Sequence, residues 1–155
     1  MQFYAAWCMI LYMINDDYLI WLEYARKDIG VADLLYEKQQ NRRKRPHEAI
    51  LFHCQQGAEK ALKAYIIRHG ANPEKARNLN EQLRECLKHD DEFNKARLAN
   101  YCAFLLPYTM IVQYPKHNLI IDADKSTKGL NSAKRIYDFV CERLGLGSYY
   151  FAGAK

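Results

Sequence analysis

The groups with the most chemical reach in this 155-residue chain are one carboxylate and a set of polar side chains at helical spacing. His53, Gln56 and Lys60 recur at i, i+3 and i+7, which puts them on one face of a helix, with Lys63 at its border. Asp28 lies seven residues from both Trp21 and Leu35, on the apolar stripe of an earlier helix. A carboxylate in that place needs a partner, because burying an unpaired charge is costly. Asp28 is therefore expected to be a buried charge that meets the His53, Gln56 and Lys60 stripe. Such a cluster serves either as a structural ion pair or as a polar groove for phosphate or base edges, and the residues alone leave both readings open.

Arg42, Arg43, Lys44 and Arg45 form the densest charge run. Four like charges in a loop can contact phosphates and release counterions, or can simply be solvated. The net charge of +5 adds a mild bias toward anionic partners. Among twelve tyrosines, Tyr108 and Tyr114 are candidates for stacking on bases, with core or dimer packing as the other reading.

Several chemistries are absent from the pattern. There is no Glu-x-x-His pair for a di-metal bundle, no zinc spacing among the histidines and cysteines, and no glycine-rich phosphate loop. No metal or cofactor is expected. No nucleophile elbow occurs in sequence, although residues distant in sequence can still assemble a triad. The cysteines (Cys8, Cys54, Cys86, Cys102 and Cys141) are odd in number and make no Cys-x-x-Cys pair, which fits free thiols in a reducing compartment.

The elements that must position these groups are all helical by periodicity. A first helix over residues 16–39 carries Tyr18, Trp21, Ala25, Asp28, Ala32 and Leu35 on one stripe. Pro46 opens a second helix, with Ile50, Cys54, Gly57, Ala61 and Tyr65 inward and Gly70 as its cap. Asn72-Pro73 reads as a cap and first-turn proline before a short third helix with Leu79, Leu83, Cys86 and Leu87. A fourth helix is expected over residues 92–114, kinked at Pro107, with Leu98, Tyr101, Cys102, Leu105 and Val112 inward. A fifth spans residues 122–144, with Ser126, Leu130, Ala133, Tyr137, Val140 and Leu144 inward, and Gly145 and Gly147 end it. Four long helices and one short one, joined by short loops, give an all-α antiparallel bundle as the expected fold.

The expected organisation is an apolar N-terminal extension (1–15), one helical domain (16–146) and a tail (147–155). Residues 1–14 are almost wholly apolar and the first basic residue is Arg26, which argues against a secretory signal. The stretch also falls short of the ~20 residues a spanning helix needs. Either it prolongs the first helix and buries itself against the bundle or a partner subunit, or Met13 is the natural start, with Asn15 and Asp16 as helix caps. These features point to a cytoplasmic protein with no membrane segment.

The second helix reads Glu48-Ala-Ile-Leu-Phe-His-Cys-Gln-Gln-Gly-Ala-Glu-Lys-Ala-Leu-Lys-Ala64. It resembles the signature helix of the HEPN family, a nucleotide-binding domain shared by higher eukaryotes and prokaryotes. Trp21, Ala25, Asp28-Ile29 and Ala32 are similar to that family's first helix, and Pro107-Tyr108 with Gln113-Tyr114-Pro115 to its fourth. The resemblance covers roughly residues 18–144. It implies a helical bundle that often dimerises and binds nucleotide or RNA. It also implies frequent pairing with a minimal nucleotidyltransferase as a toxin–antitoxin couple.

Many members of the family are metal-independent ribonucleases that use an Arg, four to six intervening residues and a His. The arginine usually precedes the Tyr-Pro of the fourth helix, where this chain has Gln113. A neutral amide cannot supply the fixed charge that stabilises a developing phosphorane. His117 follows, but Met110, Ile111 and Val112 occupy the positions where its arginine would stand. The spacing recurs at Arg42–His47 and Arg84–His89, neither at the family's catalytic place. The third helix carries Arg77-Asn78-Leu79 where relatives often have His-Asx-Leu. The first reading is thus a dimeric binding module for nucleotide or RNA that works with a nucleotidyltransferase and does not cut RNA. A ribonuclease with a relocated site, with Arg84, His89 and His117 to watch, is the second, and a structural adaptor the third.

Overall fold

A computed structural model describes residues 2–38, 41, 45–111, 113–114 and 120–147, the side chains of residues 2–16 excepted. Its helices are α1 (Gln2–Lys38), α2 (His47–Arg68), α3 (Leu79–Leu87), α4 (Glu92–Lys95), α5 (Leu98–Leu105) and α6 (Ala123–Arg143), with 3₁₀ turns at Pro73–Lys75 and Leu106–Thr109. Among the described residues there is no strand. No described helix is long and apolar enough to cross a membrane.

The α1–α2 pair is the spine. Small residues on α2 (Gly57, Ala58, Ala61 and Ala64) are fully buried and let α1 approach closely. A Cβ built on Gly57 would stand 2.5 Å from Ile29 Cγ1 and 3.1 Å from the Ala25 carbonyl oxygen. The space is therefore already filled by α1. The face that α1 buries is centred on Leu22, Ala25, Ile29 and Ala32. Of the expected stripe, Ala25 and Ala32 lie in this face, while Tyr18, Trp21, Asp28 and Leu35 lie along its edge, half-buried. The displacement is about one residue in phase, and it leaves Asp28 half-buried, not sealed in the core.

α6 packs against α2 through Leu130, Ala133, Tyr137 and Val140, as its periodicity predicts. Asp122 caps it, its side chain accepting from the Lys125 N–H at 2.9 Å. The same end motif closes α2 and α6. Gly70 and Gly145 adopt φ of +75° and +73°. The amide after each glycine returns to a carbonyl five residues earlier: Ala71 to Ile66 and Leu146 to Cys141.

Three boundaries differ from the expected ones. α1 does not begin near Asp16; its helix runs unbroken from Gln2, so Asn15 and Asp16 lie within the helix and not at its start. The segment after Asn72 is only a 3₁₀ turn. α3 starts later, where Asn78 accepts from the Glu81 N–H at 3.0 Å and Glu81 reaches back to the Arg77 N–H at 2.7 Å. The expected fourth helix is three pieces. Phe93 and Leu98 are both buried, yet five residues on one helix point about 140° apart at 3.6 residues per turn. Arg97 resolves the conflict by entering the left-handed region at φ 56°, which re-phases the chain so that Leu98, Cys102 and Leu105 face inward. Pro107 does not kink a continuing helix; it sits in the 3₁₀ turn that ends α5.

Candidate functional site

α1 and α2 bring Asp28 to the polar face of α2. His53 Nδ1 lies 2.9 Å from Asp28 Oδ1, and Lys60 Nζ donates to Asp28 Oδ2 at 2.5 Å. Lys60 also reaches Gln56 Oε1 at 3.5 Å. An ionised carboxylate only accepts, so His53 must carry its proton on Nδ1, leaving Nε2 as the ring's remaining polar atom. The side chains of Asp28, His53 and Lys60 keep 18%, 29% and 23% of their surface exposed, so solvent and small ligands can reach the cluster.

Beside it, Ile20, Trp21, Tyr24 and Lys60 line a shallow cleft of about 230 Å³. Lys63 pairs with Glu59 at 3.0 Å and places its ammonium 5.4 Å from the Trp21 ring centre. The arrangement offers an aromatic platform next to two cations, a set of groups suited to a base and a phosphate. The sequence places Trp21 on the inner stripe of the first helix, and nothing in its spacing marks Tyr24 as a site residue.

The other anticipated residues are scattered. Tyr108 is 4% exposed, packed against Phe104 with ring centres 5.6 Å apart, so it is a core residue and offers no stacking surface. Burial, aided by the nearby Asp122 carboxylate, pushes its phenol up. Gln113 and Tyr114 are exposed in the turn that follows Thr109. Arg84 and His89 are both exposed, and the His89 ring stacks on His69 with centres 5.1 Å apart. Arg45 lays its guanidinium 4.2 Å from the Tyr36 ring centre. His47, buried at the start of α2, bonds through Nδ1 to Ser126 Oγ at 2.7 Å, which gives it a structural role at the α2–α6 contact. Arg42, Arg43, Lys44 and His117 lie outside the described residues, as does Val112.

The cysteines of the bundle are buried and free. Burial pushes the Cys54 and Cys102 thiols up to about 12, and Cys141 up to about 11. Cys86 is raised for the same reason and donates to the Leu62 carbonyl. Thiols held this way are not nucleophiles. Among the described residues, no three His, Cys, Asp or Glu side chains converge as a metal site would require.

Comparison with known protein families returns a match to the HEPN domain over residues 18–144. Neither the curated proteins nor the solved structures contain a match.

Proposed function

Because the chain belongs to the HEPN domain family, with its nucleotide- and RNA-related functions, we propose that it is a non-cleaving binding module for nucleotide or RNA. Its site would be the cleft of Trp21, Tyr24 and Lys60 together with His53 and Gln56. The observation that carries this reading is the half-buried Asp28–His53–Lys60 cluster beside an aromatic cleft. Asp28 fixes both His53 and Lys60 in place, so a ligand meets groups already oriented and their ordering cost is met on folding. The basic residues 42–45 and the exposed Gln113 and Tyr114 are further candidate contacts for the same ligand class.

The lack of cleavage follows from Gln113. Where relatives place an arginine, this chain offers a neutral amide that stabilises no phosphorane. The protein is further proposed to act as a homodimer and to pair with a minimal nucleotidyltransferase in a toxin–antitoxin-like couple. In favour of self-association, Val31 and Leu34 expose 39% and 49% of their surface on the side of α1 that faces away from the bundle.

Titration with labelled adenine nucleotides and short single-stranded RNA tests the core of the proposal. Binding should be measurable and should fall when Lys60 becomes Ala while the far-UV spectrum is unchanged. Equal affinity of the Lys60→Ala protein would reject the cleft. A ribonuclease assay on the same RNA, with Arg84→Ala and His117→Ala as controls, should show no cleavage. Cleavage that those changes abolish would establish the enzyme reading instead.

A further inference from the structure

A second cleft, remote in sequence from the first, opens between the end of α1, α5 and the first turns of α6. It has a volume of about 490 Å³ and is lined by Tyr36, Tyr101, Asp124, Thr127, Lys128 and Asn131, with Ser132 at its floor. That volume lies within the roughly 300–1,000 Å³ typical of small-molecule sites. Asp124, Thr127, Lys128 and Asn131 follow at i, i+3, i+4 and i+7, so one face of α6 supplies most of the polar lining.

The hydrogen bonds fix which groups remain to meet a ligand. Thr127 donates its single hydroxyl proton to the Ala123 carbonyl at 2.9 Å. In the 2.7 Å contact between Tyr36 and Thr127, Tyr36 must therefore be the donor, and its oxygen keeps only acceptor capacity. Ser132 likewise donates to the Lys128 carbonyl at 2.7 Å. The acceptors left are the Tyr36 oxygen, the amide oxygen of Asn131, which also brings N–H donors, and the Asp124 carboxylate, which has no ion-pair partner among the described residues. Cations stand beside them. Lys128 holds its ammonium 4.5 Å from the Phe104 ring centre, and Arg45 covers the Tyr36 ring. Tyr101, half-buried, adds an aromatic surface.

We propose that this cleft takes a single unstacked nucleobase that bears an exocyclic amine (adenine, cytosine or guanine), with its phosphate toward Lys128 and Arg45. The amine donates to Asp124 and the Tyr36 oxygen, and Asn131 meets the rest of the base edge. Uracil, which presents a carbonyl where cytosine has its amine, meets acceptor with acceptor and is disfavoured. The site deepens the nucleotide- and RNA-binding reading and rests on it.

The test is fluorescence anisotropy with 8-nucleotide oligo-C, oligo-A and oligo-U RNA, and with AMP and CMP to separate a free nucleotide from a strand. Oligo-C and oligo-A should bind the unaltered protein at least several-fold more tightly than oligo-U. Asp124→Ala should erase that preference, and Asn131→Ala and Lys128→Ala should each weaken oligo-C binding several-fold, with melting temperatures moving by no more than about 2–4 °C. Lys60→Ala reports on the first cleft independently. If Lys60→Ala alone weakens binding and the α6 variants leave affinity and base preference intact, the second cleft is refuted while the first stands. If oligo-U binds as tightly as oligo-C to the unaltered protein, the proposed recognition is wrong. If no RNA or nucleotide binds at all, both readings fall together.

Discussion

The two clefts of this bundle treat charge in opposite ways. At the α1–α2 seam, both oxygens of Asp28 are engaged, one by His53 and one by Lys60, and the cluster is largely satisfied within the protein. At the α6 cleft, Asp124 and Lys128 form no ion pair with any described residue and stay exposed. The same residue types thus act as a clamp in one region and as uncommitted contacts in the other. Charges that the fold uses are costly to remove. Charges that the fold ignores can be removed with little effect on stability, and so can be tested for binding alone.

The largest expected effect lies at the seam. Asp28→Ala strands His53 and Lys60, and should lower the unfolding free energy by about 2 kcal/mol in urea denaturation. That is less than the ~3–5 kcal/mol of a fully buried pair, because these side chains keep part of their hydration. Gly57→Ala, a few residues away on α2, should cost about 1–3 kcal/mol by forcing Ile29 and the α1 backbone aside. If Asp28→Ala proves as mild as an ordinary surface change, the contrast between clamp and open contact disappears.

The next effect depends on pH. Burial works against the Asp90 carboxylate, but the Glu92 N–H and the Arg143 guanidinium overcome it and hold the carboxyl below its ordinary value of 3.8. A lowered carboxyl contributes stability that is complete above the unfolded pKa and is lost as pH falls through the folded one. Melting temperature should therefore drop more steeply below about pH 4 in the unaltered protein than in Asp90→Asn. Parallel slopes would show that the Arg143–Asp90 pair carries no net stability. The smallest effect belongs to the α6 cleft. Lys128→Ala should shift stability by no more than about 0.5–1 kcal/mol, the worth of an exposed cation over an aromatic ring.

Much of this was legible in the residues. The stripe of small and apolar positions on α2, the polar face of His53, Gln56 and Lys60, and the capping glycines Gly70 and Gly145 all follow from local rules, and the structure places them accordingly. The phase of α1 was not legible to better than one residue, because Trp21 and Leu22, or Asp28 and Ile29, fit a helical repeat equally well until α2 is in place. The break at Arg97 has no local marker either. It arises from the competing demands of Phe93 and Leu98 for the same core. The second cleft was hidden for a related reason: Tyr36, Tyr101 and Lys128 come from three helices, and only their packing makes them neighbours.

The length of α1 has a consequence for how the molecule moves. At 1.5 Å per residue its 37 residues span about 55 Å, against about 33 Å for the 22 residues of α2. Arg68, the last residue of α2, rests its guanidinium against the Tyr18 ring, so most of the length beyond Tyr18 runs past the end of its partner. A compact domain of this size has a radius of gyration near 15 Å, about the proportions of a 39 Å sphere. A rod that outreaches such a sphere raises friction, and the protein should sediment more slowly and tumble more anisotropically than its mass alone would dictate.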